Sequence, residues 1–136
     1  MNWQDKGYLL SLNKYNENSS IAEFFTENNG KATGIIFGAT SVKIKNFLLI
    51  GNLFNLQFNS KNQSRAGYFK VEIDKIFTPH FLDNKVKLNC IIYSLYLIKI
   101  LSVENQANEK IFNQIFKLYE LLNRSNWIKQ FIFWEL

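Results

Sequence analysis

The chain has few of the residues that form covalent cross-links or reactive sites, since its 136 residues include one cysteine, one proline and one histidine. The single thiol of Cys90 excludes a disulfide within the chain and a zinc site made of several cysteines. His80 has neither a neighbouring cysteine nor a pair of carboxylates beside it in the sequence, as a metal or acid–base site would require. We therefore predict that the protein is not an enzyme and holds no metal or other cofactor.

Long apolar runs are missing as well. The most apolar stretch, residues 90–101, is too short to cross a bilayer as a helix. Residues 1–7 are polar and do not resemble the apolar centre of a signal peptide. Together with the lone thiol, these absences predict a cytoplasmic protein without a membrane partner.

Acidic residues are absent from the whole segment between Asn28 and Val71, although the chain contains 11 of them against 16 lysines and arginines. A positive surface without opposing charges suits a phosphate backbone, because each bound lysine or arginine releases counterions from the nucleic acid. Aromatic residues are interleaved with these charges, and exposed aromatic rings on a small barrel can stack on bases. The residues predicted to bind DNA are Lys31, Lys43, Lys45, Lys61, Arg65, Lys70 and Tyr68.

Tyr68 is the aromatic residue best suited to stacking, because it alternates with Phe69 and Val71 and so falls on the polar side of its strand. The alternative is that the lysines are ordinary surface residues and that the aromatic residues form the core. The segment 38–46 has small residues and two lysines, so its backbone amides could approach a phosphate. It lacks the glycine spacing of an ATP-binding loop and is equally consistent with a plain connection.

The first half of the chain has the pattern of five short strands, at residues 8–15, 21–26, 31–37, 47–58 and 67–74. Residues 27–30 predict a hairpin turn that ends on glycine, and Gly51 with Asn52 predicts a bulge inside the fourth strand. Five short strands are best accommodated in a closed barrel, because closure removes exposed edges. We predict an OB-fold over residues 1–76.

The second half, residues 77–136, predicts a short helical domain and hence an α+β chain, with Pro79 near the point where the period changes. Residues 86–102 are apolar almost all round, which predicts a central helix. A second helix has a clean apolar stripe, and Asn105 or Asn108 could cap it. A third helix, capped by Ser125, ends the chain without a polar tail, so we predict an incomplete helical domain that self-associates through exposed apolar surface. The stripe of the second helix consists of Ile111, Phe112, Ile115, Phe116, Tyr119 and Leu122.

The order and spacing of these features resemble the RecO family of recombination mediators over the whole chain. The run 3–10, with a tryptophan, an acidic residue and a glycine before an apolar pair, is similar to the opening strand of that family. Residues 17–30 resemble its second strand and turn, and the segment 38–45 resembles its small-residue, basic loop. Residues 127–136, with Trp127, Phe131 and Trp134, resemble the helix that leads into the rest of its C-terminal domain.

The resemblance implies an OB-fold that binds single- and double-stranded DNA, anneals strands, and loads RecA together with RecR and single-strand binding protein. Phe37, Thr40 and Val42 stand where positive charge is common in the family, which predicts weaker binding. Some members carry a four-cysteine zinc site in a region that this chain does not include. Two alternatives stay open: a protein-interaction adaptor that uses its helical faces, and an RNA-binding OB module.

Overall fold

A computed structural model describes residues 2–38, 48–60, 67–75, 77, 84–102, 106–123 and 127–135. This part of the chain forms five strands followed by three helices. None of the helices in it is long and apolar enough to cross a membrane. The strands are β1 (Asn2–Asn16), β2 (Ser19–Thr26), β3 (Gly30–Phe37), β4 (Leu53–Asn59) and β5 (Gly67–Lys75), and the helices are α1 (Lys85–Leu101), α2 (Glu109–Leu122) and α3 (Trp127–Glu135).

The strands close into a barrel in the order β1-β2-β3-β5-β4. All neighbours are antiparallel except β3 and β5, which run parallel and pair through Gly34 with Gly67 and Ile35 with Tyr68. Gly34 allows this close approach, because a Cβ atom there would lie 2.7 Å from the ring of Phe69 and 3.0 Å from the carbonyl oxygen of Gly67, both on β5. A closed five-stranded barrel followed by helices confirms the predicted OB-like, α+β fold.

Side chains of the barrel alternate between two apolar cores. Those that point inward fill the barrel, whereas several that point outward are covered by the helices. The inner core contains Leu9, Ala22, Phe24, Ala32, Ile36, Leu48, Phe54, Leu56 and Phe69. The outer core joins Tyr8, Leu10, Phe25 and Leu53 of the barrel to Ile91, Leu95, Phe112, Ile115, Leu118, Tyr119, Leu121, Leu122 and Phe131 of the helices.

Two strand boundaries differ from the predicted ones. β1 begins at Asn2 rather than at residue 8, because β4 continues beside it and Trp3 stacks on Phe58 with ring centroids 4.9 Å apart. The bend at Gly51 lies before β4 rather than inside it. Gly51 adopts a φ of 96°, and its N–H donates to the carbonyl of Leu9 at 2.8 Å. The predicted turn that ends on Gly30 is confirmed, with a φ of 69°.

The prediction that the first helix is central is wrong. In α1 the buried residues are Ile91, Ser94 and Leu95, whereas Tyr93 and Tyr96 are more than half exposed. An apolar circumference does not show which side of a helix a neighbour will cover, and here only one narrow stripe is covered. Val86, Ile92, Ile100 and Leu101 of the same helix are also exposed.

α2 contributes most of the helical side chains of the outer core, whereas α1 is the helix that lies against β1. Its predicted stripe is confirmed, with Phe116 the most exposed member, and Asn108 caps the helix by accepting from the N–H of Ile111 at 3.2 Å. The hydroxyl of Tyr119 donates to the carbonyl of Gly51 at 2.6 Å, and its ring stacks on Phe77 at 4.3 Å. This contact fixes the helix to the turn that precedes β4. The predicted cap at Ser125 lies outside the described residues.

We expect Tyr119→Phe to lower the free energy of unfolding by about 1–3 kcal/mol, because it removes the donor to a buried carbonyl while keeping the ring. Urea unfolding followed by circular dichroism measures the change. Tyr96→Phe is the matched control, since Tyr96 lies on the exposed side of α1, and it should change stability by less than about 0.5 kcal/mol. Equal unfolding midpoints for the two variants would contradict the role of the Tyr119 hydroxyl.

Candidate nucleic-acid interface

The helices cover only part of the barrel, and nine outward side chains of β1, β4 and β5 stay exposed. The strand register places them in three straight rows that run across the three strands. We call this surface the open face. Its rows are Asn2, Asn59 and Tyr68; Gln4, Gln57 and Lys70; and Lys6, Asn55 and Glu72.

An exposed pair of aromatic rings lies at the edge of the open face. Phe37 ends β3 and Tyr68 lies near the start of β5, and their rings stack with centroids 5.0 Å apart and planes inclined by 21°. Phe37 is 60% exposed and Tyr68 is 41% exposed. Two large rings that stack while both face solvent form a flat apolar platform, on which a further flat ring can stack.

The lysines of the barrel differ in exposure and in the partners of their ammonium groups. Lys70 is exposed in the row next to Tyr68, and no ion pair is formed by its ammonium group with any residue that the structure describes. Lys6 pairs with Asp74 at 3.4 Å. Lys31 is half-buried and donates to the carbonyl of Lys99 at 3.0 Å, in the last turn of α1. A cation there stabilises the negative end of the helix dipole. Because the ammonium of Lys31 is bound to α1, it points away from the open face.

Negative charge is concentrated at the opposite end of the open face. A depression of about 700 Å³ spans the second and third rows, and its lining includes Asp5, Glu27 and Glu72 as well as Lys6 and Lys70. The carboxylate of Asp5 accepts hydrogen bonds from the backbone N–H of Asn28 at 2.8 Å and from the amide of Asn29 at 2.9 Å. Asp5 therefore holds the turn between β2 and β3, a role that the sequence alone did not indicate.

Tyr8 is a buried tyrosine of the outer core. Burial raises the pKa of Tyr8, and the nearby carboxylates of Asp74 and Glu27 raise it further. Tyr8 therefore stays neutral at any physiological pH and packs against the rings of Phe112 and Tyr119. Among the described residues, no group of three or more histidine, cysteine or carboxylate side chains could hold a metal ion.

The outer side of β2 and β3 is covered at the end near Gly30. Phe25 is buried beneath the helical segment, and the backbone of Gln106 packs so closely on Gly30 that a Cβ atom there would overlap it. Thr33, which lies farther along β3 and pairs with Glu23, stays exposed. The contact of Lys31 with α1 closes the same side of the barrel.

An apolar groove of about 450 Å³ lies on the far side of the helices, between α1 and α3. Several of its side chains are more than half exposed, and they belong to helical positions that the barrel does not reach. Its lining consists of Val86, Asn89, Cys90, Tyr93, Trp127, Ile128, Phe131 and Ile132.

Comparison with known proteins identifies the family. The family model described as "Recombination protein O N terminal" matches residues 1–77, which is more than half of the chain and includes the whole barrel. The chain belongs to the RecO family. The resemblance that the sequence suggested is therefore confirmed.

Curated RecO proteins match beyond the barrel. The DNA repair protein RecO of Ehrlichia chaffeensis is 31% identical over 113 residues, which cover 83% of this chain and 46% of that protein. The DNA repair proteins RecO of Rickettsia africae and Cereibacter sphaeroides are 28% and 26% identical over the full chain, which covers 57% and 56% of their lengths. The chain thus spans about half the length of the RecO proteins that it matches.

The structure brings together only some of the residues predicted for DNA binding in this RecO family member. Tyr68 and Lys70 lie on the same outward side of β5, as alternation predicted. Lys43, Lys45, Lys61 and Arg65 lie outside the described residues. Among the interleaved aromatics, Phe54, Phe58 and Phe69 pack in the barrel, whereas Phe37 is exposed.

Phe37 is the residue that sequence reasoning undervalued. The sequence shows it only as one of several aromatic residues in the segment without acidic residues. Its outward direction could have been read from β3, because it has the same parity as Lys31 and Thr33. Its contact with Tyr68 could not be predicted from local patterns, because that contact depends on the pairing of β3 with β5.

Proposed function

We propose that this RecO family member is a non-catalytic recombination mediator that binds single- and double-stranded DNA. In this proposal it anneals strands and loads RecA together with RecR and single-strand binding protein, in the cytoplasm at the nucleoid. The observation that supports it best is the exposed Phe37–Tyr68 stack beside Lys70 on a barrel of the OB type. Its relatives are named DNA repair proteins, which agrees with this role.

The stacked pair supplies binding that does not depend on sequence. Every base has a flat π face, and stacking on an aromatic side chain contributes about 1–3 kcal/mol per base. A base that stacks on Tyr68 or Phe37 is held by its face, so its pairing edge stays free for a complementary strand. Annealing requires both properties, because a mediator acts on any sequence and must leave the bases able to pair.

Phosphates are the second part of the proposed interface. Lys70 lies one row from the aromatic stack, where its ammonium can meet the backbone on either side of a stacked base. The sequence adds Lys43 and Lys45 in the segment after Phe37, and Lys61 and Arg65 in the segment before Tyr68. We propose that these residues also contact phosphates, which would extend binding to double-stranded DNA. Lys31, bound to the end of α1, is left out of this interface.

A protein-interaction function is supported by a different observation, the apolar groove between α1 and α3. For this second candidate we propose that the occupant is another copy of the chain. The groove and the exposed apolar ridge of Ile92, Tyr96 and Ile100 lie on the same helix, so a two-fold arrangement could set the ridge of each copy in the groove of the other. Contacts with RecR or single-strand binding protein are proposals that rest on the family alone.

We expect Tyr68→Ala to weaken binding of a thymine oligonucleotide by about 5- to 150-fold, which corresponds to about 1–3 kcal/mol for one lost stack. Fluorescence anisotropy at fixed salt measures the dissociation constant. Tyr96→Ala removes an exposed tyrosine of α1 that lies outside the DNA interface, and it should leave the affinity unchanged at a protein concentration at which the chain is monomeric. If Tyr68→Ala lowers thermal stability but not affinity, the ring is structural and the proposed platform is wrong.

Two lysine variants separate a phosphate contact from a helix contact. Lys70→Met should weaken DNA binding and reduce the slope of log affinity against log salt by about 0.7, the value for one phosphate on a single strand. Lys31→Met should leave that slope unchanged and lower the free energy of unfolding by about 0.3–1 kcal/mol, because it removes the cation at the end of α1. The reverse assignment of the two effects would contradict the proposed interface.

The second candidate function predicts self-association that depends on concentration. Sedimentation velocity should show a shift from monomer to dimer as concentration rises, and Ile128→Lys should abolish it by placing a charge in the groove. Thr33→Lys adds the same charge to the exposed part of the barrel and should leave the dimer intact. A monomer at every concentration would overturn this candidate, and so would a dimer that Ile128→Lys does not affect.

A further inference from the structure

The path of a bound single strand follows from which side of the barrel is accessible, given the proposed function. In OB-folds the outer face of β2 and β3 commonly carries the ligand. In this chain the end of that face around Phe25 and Lys31 is covered by the protein itself. Phe25 is buried under the helical segment, Lys31 is bound to the carbonyl of Lys99, and the backbone of Gln106 lies against Gly30. A nucleic acid therefore cannot lie along the full length of these two strands.

The open face offers a different surface with its own chemistry. All nine of its side chains are exposed, and five of them are amides. Asparagine is generally disfavoured in strands. The three asparagines of the open face therefore contribute little to the stability of the sheet. Amide side chains both donate and accept hydrogen bonds, and they pair with the edges of bases without attracting or repelling phosphates. The amides are Asn2, Gln4, Asn55, Gln57 and Asn59.

The charges of the open face mark one end as favourable and the other as unfavourable for a phosphate backbone. Lys70 is in the second row, and the first row is uncharged. In the third row, Lys6 is neutralised by Asp74 and Glu72 adds a negative charge. Asp5 and Glu27 add two further carboxylates to the lining of the depression that spans the second and third rows. A strand can therefore cross the first two rows, whereas the third row repels it.

We infer that a single strand of DNA leaves the Phe37–Tyr68 stack and crosses β5, β4 and β1 over the first two rows of the open face. The bases on the aromatic pair keep their pairing edges free, whereas the next ones turn an edge to Asn59 and Gln57 on β4 and then to Asn2 and Gln4 on β1. Neighbouring strands are about 4.8 Å apart, so the amides follow one another at a spacing that a flexible single strand can match. Lys70 binds a phosphate beside the first of these bases.

Protection of single cysteines tests the path without relying on an affinity change. In the full chain with Cys90→Ala, a cysteine is placed at the exposed position of Gln57 or, as the matched control, at the exposed position of Thr33 on β3, outside the open face. A maleimide then labels each variant with and without a saturating thymine oligonucleotide. We expect labelling at position 57 to slow in proportion to the remaining free protein, about tenfold at nine-tenths saturation. Labelling at position 33 should be unchanged.

A double variant tests the amides themselves. Gln4→Ala with Gln57→Ala should weaken binding of the oligonucleotide by about 5- to 100-fold, because each truncation removes one or two hydrogen bonds to base edges. Asn113→Ala with Gln114→Ala removes two exposed amides from α2 and should change nothing. Circular dichroism confirms that every variant is folded.

The outcomes distinguish this path from the function on which it rests. If the unmodified chain binds no single-stranded DNA, the proposed function fails. If it binds DNA but protects position 33 instead of position 57, or neither, the function stands and the path is overturned. If position 57 is protected while the amide variant binds normally, the amides do not read bases, and the part of the inference that assigns them to base edges is wrong.

Discussion

Closure of the barrel between β3 and β5 is the contact on which the candidate site depends. The two strands run parallel and share only a short register, in which Gly34 faces Gly67 and Ile35 faces Tyr68. The space that a side chain at Gly34 would need is filled by the ring of Phe69 and the carbonyl of Gly67 on β5. Because the strands approach this closely, Phe37 reaches Tyr68 and the two rings stack. Without closure the same residues would lie on separate edges of an open sheet.

The helices then divide the outer surface of the barrel into a covered and an accessible part. The contact of Tyr119 with Gly51 and the burial of Tyr8, Leu10 and Phe25 commit one side to the outer core. What remains is a polar surface bordered by aromatic rings on one side and by carboxylates on the other. Covering one side therefore both stabilises the fold and limits where a ligand can bind. The same packing leaves the outer sides of α1 and α3 apolar and exposed.

Local patterns in the sequence were sufficient for part of this structure. Alternation placed Tyr68 on the outer side of β5, and the stripe of α2 and its cap at Asn108 followed from helical periodicity. The turn at Gly30 followed from glycine's tolerance of positive φ. These features depend on residues close together in the chain, and the resemblance to RecO combined them into the correct fold.

The features that were missed depend on contacts between distant residues. Lys31 has the composition of a DNA-binding residue, and only the position of α1 shows that its ammonium meets the carbonyl of Lys99, 68 residues away. The exposure of most of α1 depends in the same way on distant contacts, because the rest of the protein covers only one narrow stripe of this helix. Phe37 became a candidate only through its pairing across strands that are separated in sequence. Charge counts and periodicity contain no information about such pairings.

The central claim is that the Phe37–Tyr68 stack receives bases. The most direct measurement is a titration with a thymine oligonucleotide in which nuclear magnetic resonance follows the chemical shifts of the ring protons of these two residues. A base stacked on a ring shifts the resonances of its protons strongly. We predict that the signals of both rings move together and saturate at the concentration at which anisotropy shows full binding. Saturated binding with both ring signals unmoved would contradict the account.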